Sequence, residues 1–157
     1  MVELEPKQEQ GRSVGRNAVD RLLVAIGYPE RMSNAGGPFM LRVDGKEVFV
    51  EESGDRIVIS RILTEDDSLL PTLATYAAGR MLREDATFAY GRRPKADGQG
   101  FRPSAFLWQD AAADASDRDL LRLFETFMDS CDWWQERVDS FGRREDGAPP
   151  ETMMIRP

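Results

Sequence analysis

The stretch from Ser116 to Phe141 limits what this chain can fold into more than any other. Leu120, Phe124, Phe127, Cys131, Trp134, Val138 and Phe141 recur at alternating spacings of four and three, which on an α-helix gathers them into one apolar stripe. Arg122, Glu125, Asp129, Asp132, Gln135, Glu136, Arg137 and Asp139 are left for the other faces. Ser116-Asp117-Arg118-Asp119 supplies a hydroxyl N-cap with a carboxylate three residues on, and an acidic first turn suits the positive helix end. Gly142 stands where a C′ glycine would end the helix. Such a stripe must be buried, so the remaining chain has to provide an apolar surface for it.

At 157 residues and 41% hydrophobic content, one globular domain is the simplest reading. The formal net charge of -7 and the pI near 4.7 argue against a phosphate-binding surface, so no nucleic-acid partner is expected. No apolar run approaches the roughly 18–20 residues of a membrane-spanning helix, and no membrane insertion is expected. Met1 to Gln10 is polar and acidic and lacks the features of a secretory signal. The single cysteine, Cys131, leaves no internal disulfide, in keeping with a reducing cytosol. Histidine is absent, which removes Ser-His-Asp and Cys-His catalysis and most zinc sites. The chain therefore reads as an acidic cytoplasmic domain with no cofactor and no catalytic residue set.

In order, residues 1–12 read as a flexible arm, 13–141 as one α+β domain, and 142–157 as a flexible tail containing Pro149-Pro150. Val19, Leu22, Leu23 and Ile26 mark an amphipathic helix that Gly27-Tyr28-Pro29 should stop. Arg31 to Pro38 reads as a loop. Three strands follow: Phe39 to Val43, Lys46 to Glu51 after the Asp44-Gly45 turn, and Arg56 to Leu63 after Ser53-Gly54-Asp55. The third is apolar on both faces, with Ile57 and Ile59 against Val58 and Ile62, and so reads as a central strand. Leu69 to Arg83 reads as a helix with Pro71 in its first turn and small residues at Ala74, Ala77, Ala78 and Gly79. That small-residue surface would let the protein's own sheet or a second copy approach closely. Ala86 to Gly91 and Ala105 to Gln109 read as two more strands, with Arg92 to Ser104 as a long loop between them. The order α-β-β-β-α-β-β-α describes helices packed on a mostly antiparallel, twisted sheet.

The candidate chemistry is sparse. Glu65-Asp66-Asp67 and the series Asp110, Asp114, Asp117 and Asp119 lack the EF-hand spacing and precede helix starts, where acids cap and solubilise. Cys131 lies inside the apolar stripe near Asp129 and Asp132, an acidic setting that raises a thiol pKa, and reads as structural. Gly91-Arg92-Arg93-Pro94-Lys95 and Gly142-Arg143-Arg144 are short basic patches that read as solvated loops. Gly36-Gly37 and Gly98-Gln99-Gly100 match neither phosphate-loop pattern. Trp134 belongs to the stripe, whereas Trp133, about 100° round the helix, completes the core edge or meets another chain.

The element order, length and acidity resemble the class I chaperones of bacterial type III secretion, the CesT-like family. The resemblance covers about Ser13 to Phe141 and includes the alanine-rich helix and the last helix with Phe127-Met128 and Trp133-Trp134. The acidic, tailed form is similar to the broad-specificity chaperones of Hrp systems. The resemblance implies a homodimer in the bacterial cytoplasm that binds the N-terminal segment of secreted effector polypeptides, with the secretion-associated ATPase as a further partner. It assigns effector binding to Val19, Leu22, Leu23, Ile26, Phe39, Leu41, Val43, Val48 and Val50. It assigns the dimer interface to Leu73, Tyr76, Ala77, Arg80, Met81, Phe88 and Tyr90. Every one of these residues is equally compatible with an ordinary core. Two other readings stand beside the chaperone: a regulatory interaction module with a folded partner, and a carboxylate-dependent hydrolase resting on the supply of Asp and Glu.

Overall fold

The computed structural model describes residues 17–28, 38–94 and 98–145. The expected arm 1–12, most of the loop 31–38 and the chain after Glu145 lie outside the described residues. The observed order is α1 (Ala18–Ala25), β1 (Phe39–Val43), β2 (Lys46–Ser53), β3 (Arg56–Thr64), α2 (Leu70–Arg80), β4 (Thr87–Pro94), β5 (Phe101–Ala112) and α3 (Asp117–Glu145). The class is α+β: one antiparallel sheet in the order β1-β2-β3-β5-β4, with three helices. β3 is central, as its two apolar faces require.

Local signals set several boundaries. The Asn17 side chain accepts the Asp20 N–H at 2.8 Å and starts α1. Gly27, at φ 74°, ends it, while the Tyr28 N–H reaches back to the Leu23 carbonyl at 2.9 Å. Asp44 and Gly45 both take positive φ, the backbone a two-residue hairpin demands. Asp66 caps a single 3-10 turn, Asp67–Leu69, which runs directly into α2. Ser116 caps α3: its Oγ accepts the Asp119 N–H at 3.1 Å and donates to the Asp119 carboxylate at 2.7 Å.

Two expectations are corrected. Residues 92–104 are mostly strand, with Arg92 opposite Pro103, Arg93 opposite Arg102 and Pro94 opposite Phe101. The prolines are tolerated because β4 is an edge strand. In addition, β5 from Phe101 to Ser104 extends beyond Thr64, where β3 pairing ends, so one of its sides has no ladder to interrupt. The last helix also continues through Gly142 to Glu145. Gly142 does not take positive φ, so it costs the helix only the modest penalty of an interior glycine.

The core lies between one sheet face and the helices. Leu41, Val48, Val50, Ile57, Ile59, Ala105 and Leu107 are buried on that face, with Leu120, Phe127, Cys131 and Trp134 of the α3 stripe above them. Phe124, Val138 and Phe141 pack at the margin. By strand alternation, Phe49, Val58, Ile62, Phe106 and Trp108 point to the opposite face and lie outside this core. Phe106 there covers Gly91, whose missing Cβ would sit 3.3 Å from the ring.

Two measurements check this packing. Ser116→Ala should cost about 1 kcal/mol in urea unfolding through loss of the cap, without changing the fold. Burial pushes the Cys131 thiol from the ordinary 9.0 up to about 12, against the pull of neighbouring Arg61. A raised thiol pKa favours the folded, protonated form at low pH, so this contribution is complete below the unfolded pKa near 9 and is lost as pH rises towards 12. Stability should therefore fall more steeply between pH 9 and 12 in the native protein than in a Cys131→Ala variant; equal slopes would contradict the assignment.

Candidate functional site

The residues assigned to effector binding divide by accessibility. Val19, Leu22, Leu23, Leu41, Val48 and Val50 are buried beneath the helices, while Ile26, Phe39 and Val43 are half-buried at the margin. α1 is held down firmly for an eight-residue helix. Arg21 donates to the Asp117 carboxylate at 2.8 Å, to the Ala113 carbonyl at 3.3 Å and to the Ala115 carbonyl. The Ala18 N–H reaches the Glu52 carboxylate at 3.2 Å, and Tyr28 meets Phe39 edge-on at 5.9 Å. The apolar groups that this region does expose are Val24 and Met40. Met40 lies on β1, an outer strand of the sheet.

The second assigned set is gathered by a line of aromatic rings. Tyr76 of α2 meets Trp133 at 6.3 Å and Phe141 at 5.7 Å; Trp133 meets Trp134 at 5.2 Å; Trp134 stacks on Phe88 of β4 at 5.0 Å. α2 and β4, consecutive in the chain, are thus both tied to α3. Arg80 lies 3.6 Å from the Trp133 ring centre, forms an ion pair with Glu84, and leaves its buried Nε without a partner among the described residues. Arg137 covers the same ring at 4.1 Å. Trp133 is therefore clamped between two guanidinium groups, a cation–π arrangement that fixes it without a second chain.

Within this set Leu73 and Ala77 are core, Arg80 and Phe88 are half-buried, and Tyr76, Met81 and Tyr90 are exposed. α2 buries little more than the Leu73–Ala77 row, so Ala74, Ala78 and Gly79 face outwards and not towards the protein's own sheet. Two further apolar residues are exposed: Leu82, 88% exposed in the turn after α2, and Phe101, 62% exposed at the tip of the β4–β5 hairpin. Sequence reading passed over both. Leu82 falls inside the expected helix Leu69 to Arg83, although the helix ends at Arg80, and Phe101 falls inside the expected loop Arg92 to Ser104.

Charged chemistry is quiet across the described residues. Asp66 is held below its ordinary value by the Ser68 hydroxyl and then by the Ser68 N–H, both donating to it, which is a capping role. Among the described residues, no group of three acids and cysteines could hold a metal ion, and no helix is long and apolar enough to cross a membrane. If Trp133 anchors α2, Trp133→Ala should raise amide hydrogen exchange in Leu70–Arg80 and leave protection in β3 and β5 unchanged. A uniform rise across the sheet would sink this account.

No family model matches the chain, and no curated protein matches it. Solved structures do. The crystal structure of YbjN from E. coli, a candidate transcription regulator, aligns with a TM-score of 0.52 at 10% sequence identity, over 84% of this chain and 93% of YbjN. The chain is similar to YbjN in fold.

Proposed function

We propose that this chain is a non-catalytic, homodimeric chaperone of type III secretion that works in the bacterial cytoplasm and keeps effector N-terminal segments extended. The observation that carries the reading is the one-sided burial of α2. That helix gives the monomer a single row and presents Ala74, Ala78 and Gly79, flanked by Tyr76, Met81 and Leu82, to the outside. A face of small and apolar residues, interrupted by the short side chains of Thr72 and Thr75, suits close approach of a second copy. The observed order of helices and strands on one antiparallel sheet is the order expected of such a chaperone. An extended client would add by backbone pairing to the side of β1 that has no strand neighbour among the described residues, with Met40 and the marginal Phe39 and Val43 supplying apolar contacts.

A second reading has one observation behind it: YbjN is described as a candidate regulator of transcription. With a net charge of -7, regulation by this chain would run through a folded protein partner and not through phosphate contacts.

Light scattering at micromolar concentration is expected to give twice the chain mass. Met81→Glu, which would bury an unpaired charge in the interface, should weaken self-association at least tenfold, about 1.4 kcal/mol, with the circular dichroism unchanged. A native monomer would count decisively against the dimer. Co-purification tests the client: capture of a secreted protein that is lost when its N-terminal segment is deleted supports the chaperone. Capture that survives the deletion favours the regulatory module.

A further inference from the structure

All three helices pack on one face of the sheet, and the residues that alternate away from them line the other. The register sets the rows of that second face. Met40, Phe49, Ser60, Trp108 and Thr87 form one row across all five strands, and Ile62, Phe106 and Ala89 form the next. Phe49, Ile62, Phe106 and Trp108 therefore make a joined apolar centre, and none of them belongs to the core. Salt bridges stand at its rim: Arg42 with Glu47 at 3.7 Å, Arg56 with Asp110 at 2.8 Å and Arg102 with Glu65 at 3.3 Å. An apolar centre inside a charged rim is the layout of a contact surface. Among the described residues no helix lies over it.

The segments outside the described residues differ in what they could lay on such a face. Residues 1–16 break Met1, Val2 and Leu4 with Glu3 and Glu5, and 29–37 hold one large apolar residue, Met32. Residues 146–157 contain Met153-Met154-Ile155, three large apolar side chains in succession. That segment also starts in the right place. α3 runs towards the end of the sheet where β2 and β3 part, and Gln135 lines a cavity there together with Phe49 and Ile62. The helix continues to Glu145, about 15 Å further on at about 1.5 Å per residue. At about 3.3–3.6 Å per extended residue, Met153 can stand about 26–29 Å from Glu145. The chain is thus long enough to return along the helix and round the end of the sheet.

We propose that residues 151–156 dock on this face of their own chain, with Met153, Met154 and Ile155 packing on Ile62, Phe106 and Trp108. Methionine suits the task, because its unbranched thioether conforms to an aromatic surface and makes sulfur–ring contacts. Arg156, next in the chain, suits a rim that also carries Glu51, which is exposed and in no salt bridge among the described residues. A tethered segment acts at an effective concentration on the order of millimolar, so a contact too weak to hold a free peptide suffices. The tail is then an intramolecular cover, and any partner that needs this face must displace it. The proposal is independent of the chaperone reading, which places its contacts on α2 and β1.

A nitroxide attached to Thr152→Cys in the ¹⁵N-labelled full-length protein tests it, since the buried Cys131 does not take the reagent. The expected result is loss of at least half the amide signal at Ile62, Phe106 and Trp108, while Val24 of α1 and Arg122 at the start of α3 keep theirs. Replacing Met153, Met154 and Ile155 together by serine should restore the lost signals at least twofold, with the circular dichroism unchanged. Mixing nitroxide-bearing protein without ¹⁵N with ¹⁵N protein without nitroxide separates the occupants. Unchanged signals at Ile62 and Trp108 in that mixture support docking within one chain. Signal loss there in the mixture assigns the face to the tail of a second copy and overturns the proposal. It is overturned equally by signal loss confined to the end of α3, or by loss that the triple serine variant leaves in place.

Discussion

Burial of the α3 stripe against one face of the sheet is the interaction on which the rest of the structure depends. Phe127, Cys131 and Trp134 are wholly or almost wholly enclosed, and their helix packs on β3 and β5, which come from opposite halves of the chain. α1 then needs only eight residues, because Arg21 fixes it to the β5–α3 junction instead of relying on its own length. α2 needs only one buried row, because Trp133 holds it from the side. Both minor helices are accessories to the long one. This division leaves surface on α2 that the monomer does not use.

Arginine performs the internal fastening in this acidic chain. Arg21 binds backbone carbonyls, Arg80 covers an indole and pairs with Glu84, and Arg61 reaches Gln135 from within the sheet. These tasks suit a planar guanidinium that stacks and donates in several directions, and a lysine ammonium does them less well. Against a net charge of -7, such cations sit in a favourable field wherever they are placed, so their inward positions reflect geometry more than attraction to bulk charge.

Much of the fold was legible in the sequence because its signals were local and mutually consistent. The stripe of α3, the Asp44-Gly45 turn, the Ser116 cap and the two-faced β3 each carry their own physical rule, and all four hold in the structure. The hairpin of β4 and β5 was foreshortened because Pro94 and Pro103 break a strand only where a neighbour demands an N–H, which depends on sheet order, while Gly98 and Gly100, both at positive φ, mark the bend between the strands. Gly142 misled for a similar reason: a glycine ends a helix only when the following chain turns away. The site was less legible. Apolar residues such as Leu22 and Val50 look alike whether they face a core or a partner, and only the packing shows that six of the nine effector-binding assignments are buried. The burial of Arg61 offered no signal, since a lone arginine in a β-branched run reads as an exposed position.

The central strand has a consequence for the order in which the chain can assemble. β3 is complete at Thr64, but its second neighbour, β5, begins pairing with it at Ala105 and comes after α2 and β4 in sequence. During synthesis the meander β1-β2-β3 therefore emerges with the inner side of β3, Arg56 to Thr64, open as a temporary border of the sheet. The residues that later lie under α3, Ile57 and Ile59, are uncovered for the same interval. The most aggregation-prone state of this protein is then neither the folded domain nor the fully unfolded chain, but a nascent intermediate that still awaits its last two elements.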